Sequence, residues 1–241
     1  MTLLLVGIAS LPLLAQTLQG QGFTLQAGGA FPKGRVDLAP RLTLQENGSD
    51  IPYDVAPARA KFCFPIGDQG ATLDVILLRD PSVPDFAKAY PDLDRNAKAL
   101  KLLLDSAPLP SGLGQDLPVW NCPDAEQTIH ARVKLLESPW CRGVQFITRY
   151  TQEAGVPIDN SSLQFTFQGL SRDGQYYIAL DIPITQVALQ KRGKELPDGE
   201  IKAHYLRAEK LLTEAPEDSF QPSLQAVKAL IYSLRPTESK P

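Results

Sequence analysis

The side chains of this chain that could do chemistry are few and scattered. There are two histidines. His130 falls on the polar side of an alternating, strand-like stretch, TIHARVKLLE. His204 follows Glu200 by one helical turn, the spacing of a solvated ion pair. No Gly-x-Ser-x-Gly elbow, His-Glu-x-x-His, Cys-x-x-Cys, Walker loop or dinucleotide fingerprint occurs, and SGLGQD lacks both a preceding strand and a third glycine. DLDRNA, from Asp92, opens like a calcium loop. It carries Ala97 where glycine is required and Leu103 where glutamate is required. The expectation is no metal and no cofactor. Asp159, Asp173 and Asp181 fall in or near one pair of strands, the residue type that glycoside hydrolysis needs. Turn chemistry explains Asp173 and the loop PIDNSS explains Asp159, so Asp181 alone needs an account.

Recognition is open to a larger set. His130, Arg132, Lys134, Gln145, Arg149, Gln164, Gln168, Tyr177 and Asp181 occupy the positions that alternate away from Phe146, Phe165 and Phe167. If the strands carrying them are neighbours, they share one surface. Arg132 and Arg149 would supply charge-assisted donors, Gln168 a donor and an acceptor, Tyr177 a flat amphipathic contact and Asp181 a carboxylate, which suits an anionic or hydroxyl-rich ligand. The plainer reading is a solvated sheet face. Leu136, Ile147 and Leu170 on the same side imply that part of it is covered, with Asp181 and Arg149 then paired internally.

These residues depend on two hairpins for their placement. Period two runs through TIHARVKLLE and RGVQFITRY, with SPWCRG as the turn. Matching faces puts Leu135 opposite Val144 and Val133 opposite Phe146. In FQGLSRDGQYYIALDIPI, Asp173-Gly174 is the dipeptide of a two-residue type I′ turn. Counting outward sets Leu170 against Tyr177, Gly169 against Ile178, Gln168 against Ala179, Phe167 against Leu180, Thr166 against Asp181, Phe165 against Ile182 and Leu163 against Ile184. Turn chemistry and hydrophobic pattern agree independently.

Upstream, RVDLAPRLTL, ARAKFCFPI and ATLDVILLRD read as strands after a short one at Phe23–Gln26. The last has an apolar centre suited to the middle of a sheet. Leu93, Ala97, Leu100 and Leu104 form one helical stripe. Ile201, Tyr205, Ala208 and Leu212 form a second, and Leu224, Val227, Ile231 and Leu234 a third, with Pro222 in its first turn. The expected architecture is α+β, a single largely antiparallel β-sheet packed with about three helices, over residues 23–235.

MTLLLVGIASLPLLA is uncharged and too short to span a bilayer. It reads as a secretory signal, residues 1–15, cut near Ala15–Gln16. A Gln/Gly-rich arm, 16–22, and a disordered tail, 236–241, flank the domain. No later apolar run is long enough to cross a membrane. Twenty-seven acidic against 24 basic residues leave a net charge of −3, so no field attracts nucleic acid. Of the three cysteines, Cys63, Cys122 and Cys141, the pair Cys122–Cys141 is disfavoured. Cys141 lies at the hairpin turn and Cys122 precedes its far end, about 23 Å away at ~3.3 Å per residue. A Cys63–Cys122 bridge and three free thiols both remain compatible with the spacing.

The stretch AEQTIHARVKLLESPWCRGVQFITRYTQEAGVPIDNSSLQFTFQGLSRDGQYYIALDIPI, followed by SFQPSLQAVKALIYSL, resembles an uncharacterised exported bacterial domain family with a TFQGL-x-DGQYY hairpin and a closing helix ending in Ser-Leu. The likeness covers roughly Phe23 to Leu234. Gln145 stands where the family carries arginine after Gly-Val, so a role for that basic position does not transfer. At the level of fold the chain is similar to PsbP-like proteins, which implies no function. The reading is a secreted or periplasmic, monomeric, non-catalytic protein that binds a small ligand or an envelope protein. A hydrolase with an unrecognised carboxylate site and an accessory subunit of an exported complex are the alternatives.

Overall fold

The computed structural model describes residues 15–42, 55–106, 109, 117–120, 125–153, 155–189 and 197–237. Along the chain come β1 (Gln16–Gly20), β2 (Phe23–Ala27), β3 (Arg35–Ala39), β4 (Arg59–Ile66) and β5 (Gln69–Leu77), then helices α1 (Phe86–Ala89) and α2 (Pro91–Asp105). Next are β6 (Glu126–Gln127), β7 (Ala131–Glu137), β8 (Cys141–Thr148), β9 (Tyr150–Thr151), β10 (Gln164–Ser171), β11 (Tyr176–Pro183) and β12 (Thr185–Gln186). Helix α3 (Ile201–Glu214), β13 (Phe220–Gln221), α4 (Leu224–Ser233) and β14 (Arg235–Pro236) close it. The fold is α+β, built on a seven-stranded antiparallel sheet of order β3-β4-β5-β11-β10-β8-β7.

Each face of the sheet has its own core. Phe62, Leu73, Phe165, Phe167, Leu180 and Ile182 point to one side, where Leu212 of α3, Leu224, Val227 and Ile231 of α4, and Leu18 and Leu25 of the β1–β2 hairpin bury them. Ile76, Val144, Phe146, Leu170 and Tyr177 point to the other, under Leu93, Leu100 and Leu104 of α2 and the segment Leu117–Trp120. Both faces are covered, which is why the strands β8, β10 and β11 are buried almost throughout.

The three helical stripes fold as their spacing predicts. Pro222 lies outside α4, whose cap is Ser223; its hydroxyl oxygen accepts from Ala226 N at 3.3 Å. The expected arm at 16–22 is instead β1, paired from Gln16↔Ala27 to Gly20↔Phe23. Gln21 and Gly22, at φ 46° and 79°, make the tight turn. At the other end, Pro236 pairs with Phe23, so the domain runs past 235; residues 238–241 lie outside the described ones. Strand β3 stops at Ala39, and beyond it an isolated bridge joins Leu42 to Ala56.

The β10–β11 register agrees at every pair from Phe165↔Ile182 to Leu170↔Tyr177, and Ile184 N donates to Leu163 O at 3.0 Å. The turn does not have the expected type. Only Gly174 has positive φ, at 70°, and its N–H donates to Ser171 O at 2.9 Å. The connection therefore spans Arg172 to Gln175, with the Asp173 carboxylate accepting from Gln175 N at 3.0 Å and Ser171 Oγ at 2.5 Å. Two-residue and four-residue loops centred on the same bond leave the same register, so the error in turn type cost nothing downstream.

In the β7–β8 hairpin the alternation breaks. Leu135 pairs with Val144 as expected, but pairing resumes at Ala131↔Ile147, so Arg132 and Val133 together oppose Phe146. Arg132 sits at φ 57° in this bulge. Its Nε donates to Leu212 O at 2.7 Å and its Nη2 to Ala215 O, satisfying carbonyls at the end of α3, while its guanidinium stands 5.4 Å over Phe220. Arg132→Ala is expected to lower stability by about 2 kcal/mol, with Arg132→Lys recovering little because a point charge cannot reach both carbonyls. Thermal unfolding of the two variants checks this.

Candidate functional site

Hydrogen-bonded register lines up three cross-strand rows on the α2 face. The first runs Arg59, Ile76, Tyr177, Leu170, Arg142. The second runs Asp37, Lys61, Asp74, Ala179, Gln168, Val144. The third runs Arg35, Cys63, Thr72, Asp181, Thr166, Phe146. Helix α2 lies over β8 and β10, where Val144, Phe146 and Leu170 give it an apolar seat. From Gln168 and Thr166 of β10 toward β4 the rows turn polar. Asp74, Asp181, Gln168, Thr166 and Tyr177 converge there, while Thr72, Lys61 and Asp181 are half-buried and mark its open side.

Asp74 and Asp181 are diagonal neighbours on adjacent strands. Arg59 Nε donates to Asp74 Oδ1 at 3.0 Å, with Lys61 as a second cation nearby, and burial nonetheless pushes the Asp74 carboxyl above the usual carboxylate range. Asp181 has no cation beside it among the described residues. Its Oδ1 accepts from Thr166 Oγ1 at 2.9 Å. Burial of the carboxyl, with the Asp74 charge adding to it, pushes it up to about 7 against the opposing Thr166 bond.

Gln168 is fully buried beside this pair. Its Oε1 accepts from Tyr177 Oη at 2.8 Å and from Trp120 N at 3.3 Å. Those two donors fix the orientation of the amide, and Nε2 is left without a partner. The Trp120 segment is strapped down from several directions. Arg59 stacks 5.3 Å from the Trp120 ring, Asn96 Nδ2 donates to Val119 O at 2.9 Å, and Gln127 exchanges two bonds with Leu117. The Tyr177 hydroxyl, also raised by burial, feels the Asp181 charge.

Of the five residues read from sequence as a binding set, Gln168, Tyr177 and Asp181 do share a face, and Arg132 and Arg149 leave it. The bulge carries Arg132 to the end of α3. Arg149 lies past the end of β8, its Nη1 donating to Val156 O at 3.1 Å and to Pro157 O. Gln145 pairs across from Phe167 and faces the opposite core, whereas Phe146 lies on the Gln168 side, the reverse of the expected arrangement. The single polar surface expected over both hairpins is therefore divided between two faces. The Gln168 face is covered by α2 and the Leu117–Trp120 segment, and the closing helix packs on the other side. Asp181 pairs with Thr166 rather than with Arg149.

Each histidine is held by a contact that the sequence did not reveal, His204 by backbone and His130 by a side chain. His204 Nε2 accepts from Ile158 N at 2.9 Å, so it is a packing group rather than one half of an ion pair with Glu200. His130 Nε2 lies 2.9 Å from Gln127 Oε1. Cys141 begins β8 rather than sitting in the turn, and Cys63 and Cys141 are free thiols; Cys122 and the SGLGQD loop lie outside the described residues. The sequence reading missed Asp74, Arg59 and Trp120. Asp74 was legible as the one charge within the apolar run of β5, and a charge at a central strand position needs a partner.

Among the described residues no helix is long and apolar enough to cross a membrane, and no group of three His, Cys, Asp or Glu side chains converges to hold a metal ion. Comparison with protein-family models gives no match, and comparison with curated proteins gives none.

Proposed function

We propose that this is an exported, non-catalytic binding protein of the cell envelope or medium, acting as a monomer, whose ligand docks on the polar half of the α2 face and hydrogen-bonds Asp181. The observation that carries this is the carboxyl of Asp181, held up to about 7 with the Thr166 hydroxyl as its one hydrogen-bond donor among the described residues. A carboxylate that lowers the stability of its own fold and has no compensating cation is a mark of a binding or reacting group. Export is supported by the apolar run ending at Ala15, because β1 begins at Gln16 and cleavage there leaves β1 whole. The resemblance to exported bacterial domains points the same way.

The test is to purify the mature protein and its Asp181→Asn variant from the native envelope and compare them by native mass spectrometry. A bound small molecule or envelope protein retained by the wild type and lost from the variant, at undiminished melting temperature, is the expected result. Equal retention by both, or an intact Met1 on a cytoplasmic protein, overturns the reading. Asp74 and Asp181 also favour a second reading, hydrolysis. Two carboxyls on adjacent strands, one with a cation at hand and one without, are the pairing that acid–base catalysis draws on. Turnover of chromogenic glycosides abolished equally by Asp74→Asn and Asp181→Asn would select it.

A further inference from the structure

On the reading that Asp181 marks a ligand site, we infer that the ligand is a neutral hydroxylated molecule, a polyol or sugar ring, one hydroxyl of which donates to Asp181 and accepts from Gln168 Nε2. Two side chains with opposite unmet needs carry this. Gln168 is fully buried and its Nε2 has no acceptor, because Tyr177 Oη and Trp120 N together commit Oε1. Asp181 accepts from Thr166 on one oxygen, and no described cation or other donor engages the second.

The two lie close together. Thr166↔Asp181 and Gln168↔Ala179 are consecutive same-face pairs, and the Tyr177 hydroxyl that holds the Gln168 amide at 2.8 Å also feels the Asp181 charge. A hydroxyl donates and accepts through a single oxygen, so one group can bridge both side chains. An ammonium could satisfy Asp181 and would leave Gln168 unpaired; a phosphate or carboxylate could satisfy Gln168 and would be repelled by Asp181. Arg59 and Lys61 already offset Asp74, so the site presents little net charge to draw an ion of either sign. Half-buried Thr72 and Lys61 give the ligand its approach, and its remaining hydroxyls further partners.

The full mature chain, labelled with 15N, would be titrated with D-glucose and glycerol, and separately with ethylammonium chloride and inorganic phosphate. The side-chain NH2 signal of Gln168, assigned with Gln168→Met, is the readout. Expected is a saturable shift of that signal with the neutral hydroxylated probes only, weakened at least tenfold in Asp181→Asn. A response to ethylammonium or phosphate alone overturns the ligand class and leaves the binding site standing. No response to any probe, with a long-lived water contacting the Gln168 NH2, identifies a structural water and overturns the inference. A ligand retained by the envelope-purified protein would still uphold the wider reading.

Discussion

Asp181→Asn is expected to stabilise the protein at pH 8 and to leave it nearly unchanged at pH 4. The folded state holds the Asp181 proton up to about 7, against 3.8 for the free side chain. The fold therefore binds that proton more tightly than the unfolded chain does. The contribution is fully present below about pH 4, is lost as pH rises toward 7, and is constant above it. A displacement of that size corresponds to at most about 4 kcal/mol, and partial solvation of a half-buried residue brings the expectation to about 2 kcal/mol. In a domain of this size that is a rise of roughly 4–8 °C in melting temperature at pH 8. Asparagine still accepts the Thr166 hydroxyl through its amide oxygen, so the substitution removes the charge and keeps the bond. Melting curves of both proteins from pH 4 to 8 measure the difference directly. A variant less stable than wild type at pH 8 would mean that the carboxylate is ionised and paired, and the case for a ligand there would go with it.

Gly143→Ala is expected to have the largest effect of any conservative change in the sheet. Gly143 and Gly169 face each other across β8 and β10, and the ring of Phe167 lies over both. A methyl group at Gly143 would approach the ring to 2.5 Å and would also meet the Gln168 carbonyl oxygen, which is backbone in a central strand. The carbonyl cannot yield without disturbing the β8–β10 ladder, and the ring is fully buried in the core. The expected loss is about 3 kcal/mol or more, at the upper end of overpacking, and enough to reduce soluble yield. Gly169→Ala would meet the same ring at 2.7 Å and should come close behind. Gly28, with nothing within 4 Å of an added Cβ, is the control and should tolerate alanine. If Gly143→Ala melts within a degree or two of wild type, Phe167 is not seated on the glycines as described. The pairing also accounts for two glycines in central strands, where they are otherwise unfavourable, since an aromatic ring laid across them restores the buried contact they lack.

Much of this fold was readable because the signals were local. Helical stripes at 93–104, 201–212 and 224–234, the β10–β11 register and the central place of β5 each depend on residues close in sequence, and on a periodicity that only one secondary structure satisfies. The candidate site was legible in part for the same reason. Gln168, Tyr177 and Asp181 share a face because β11 and β10 alternate without interruption.

The rest was decided in three dimensions. One inserted residue at Arg132 reversed the facing of half a strand, and nothing in TIHARVKLLE announces it, because a bulge is stabilised by what the strand meets, here the carbonyl ends of α3. Arg149 and His204 looked like surface groups and proved to be partners for backbone atoms at Val156, Pro157 and Ile158. Asp74 and Asp181 stand more than a hundred residues apart, on strands that become neighbours only when β11 docks against β5. The sequence by itself determined the three long helices, the central strands and the α+β class, since these follow from short-range pattern. Only the tertiary structure decided which polar groups would be buried together, because that depends on long-range strand order and on burial, the quantity that sets the protonation of Asp181.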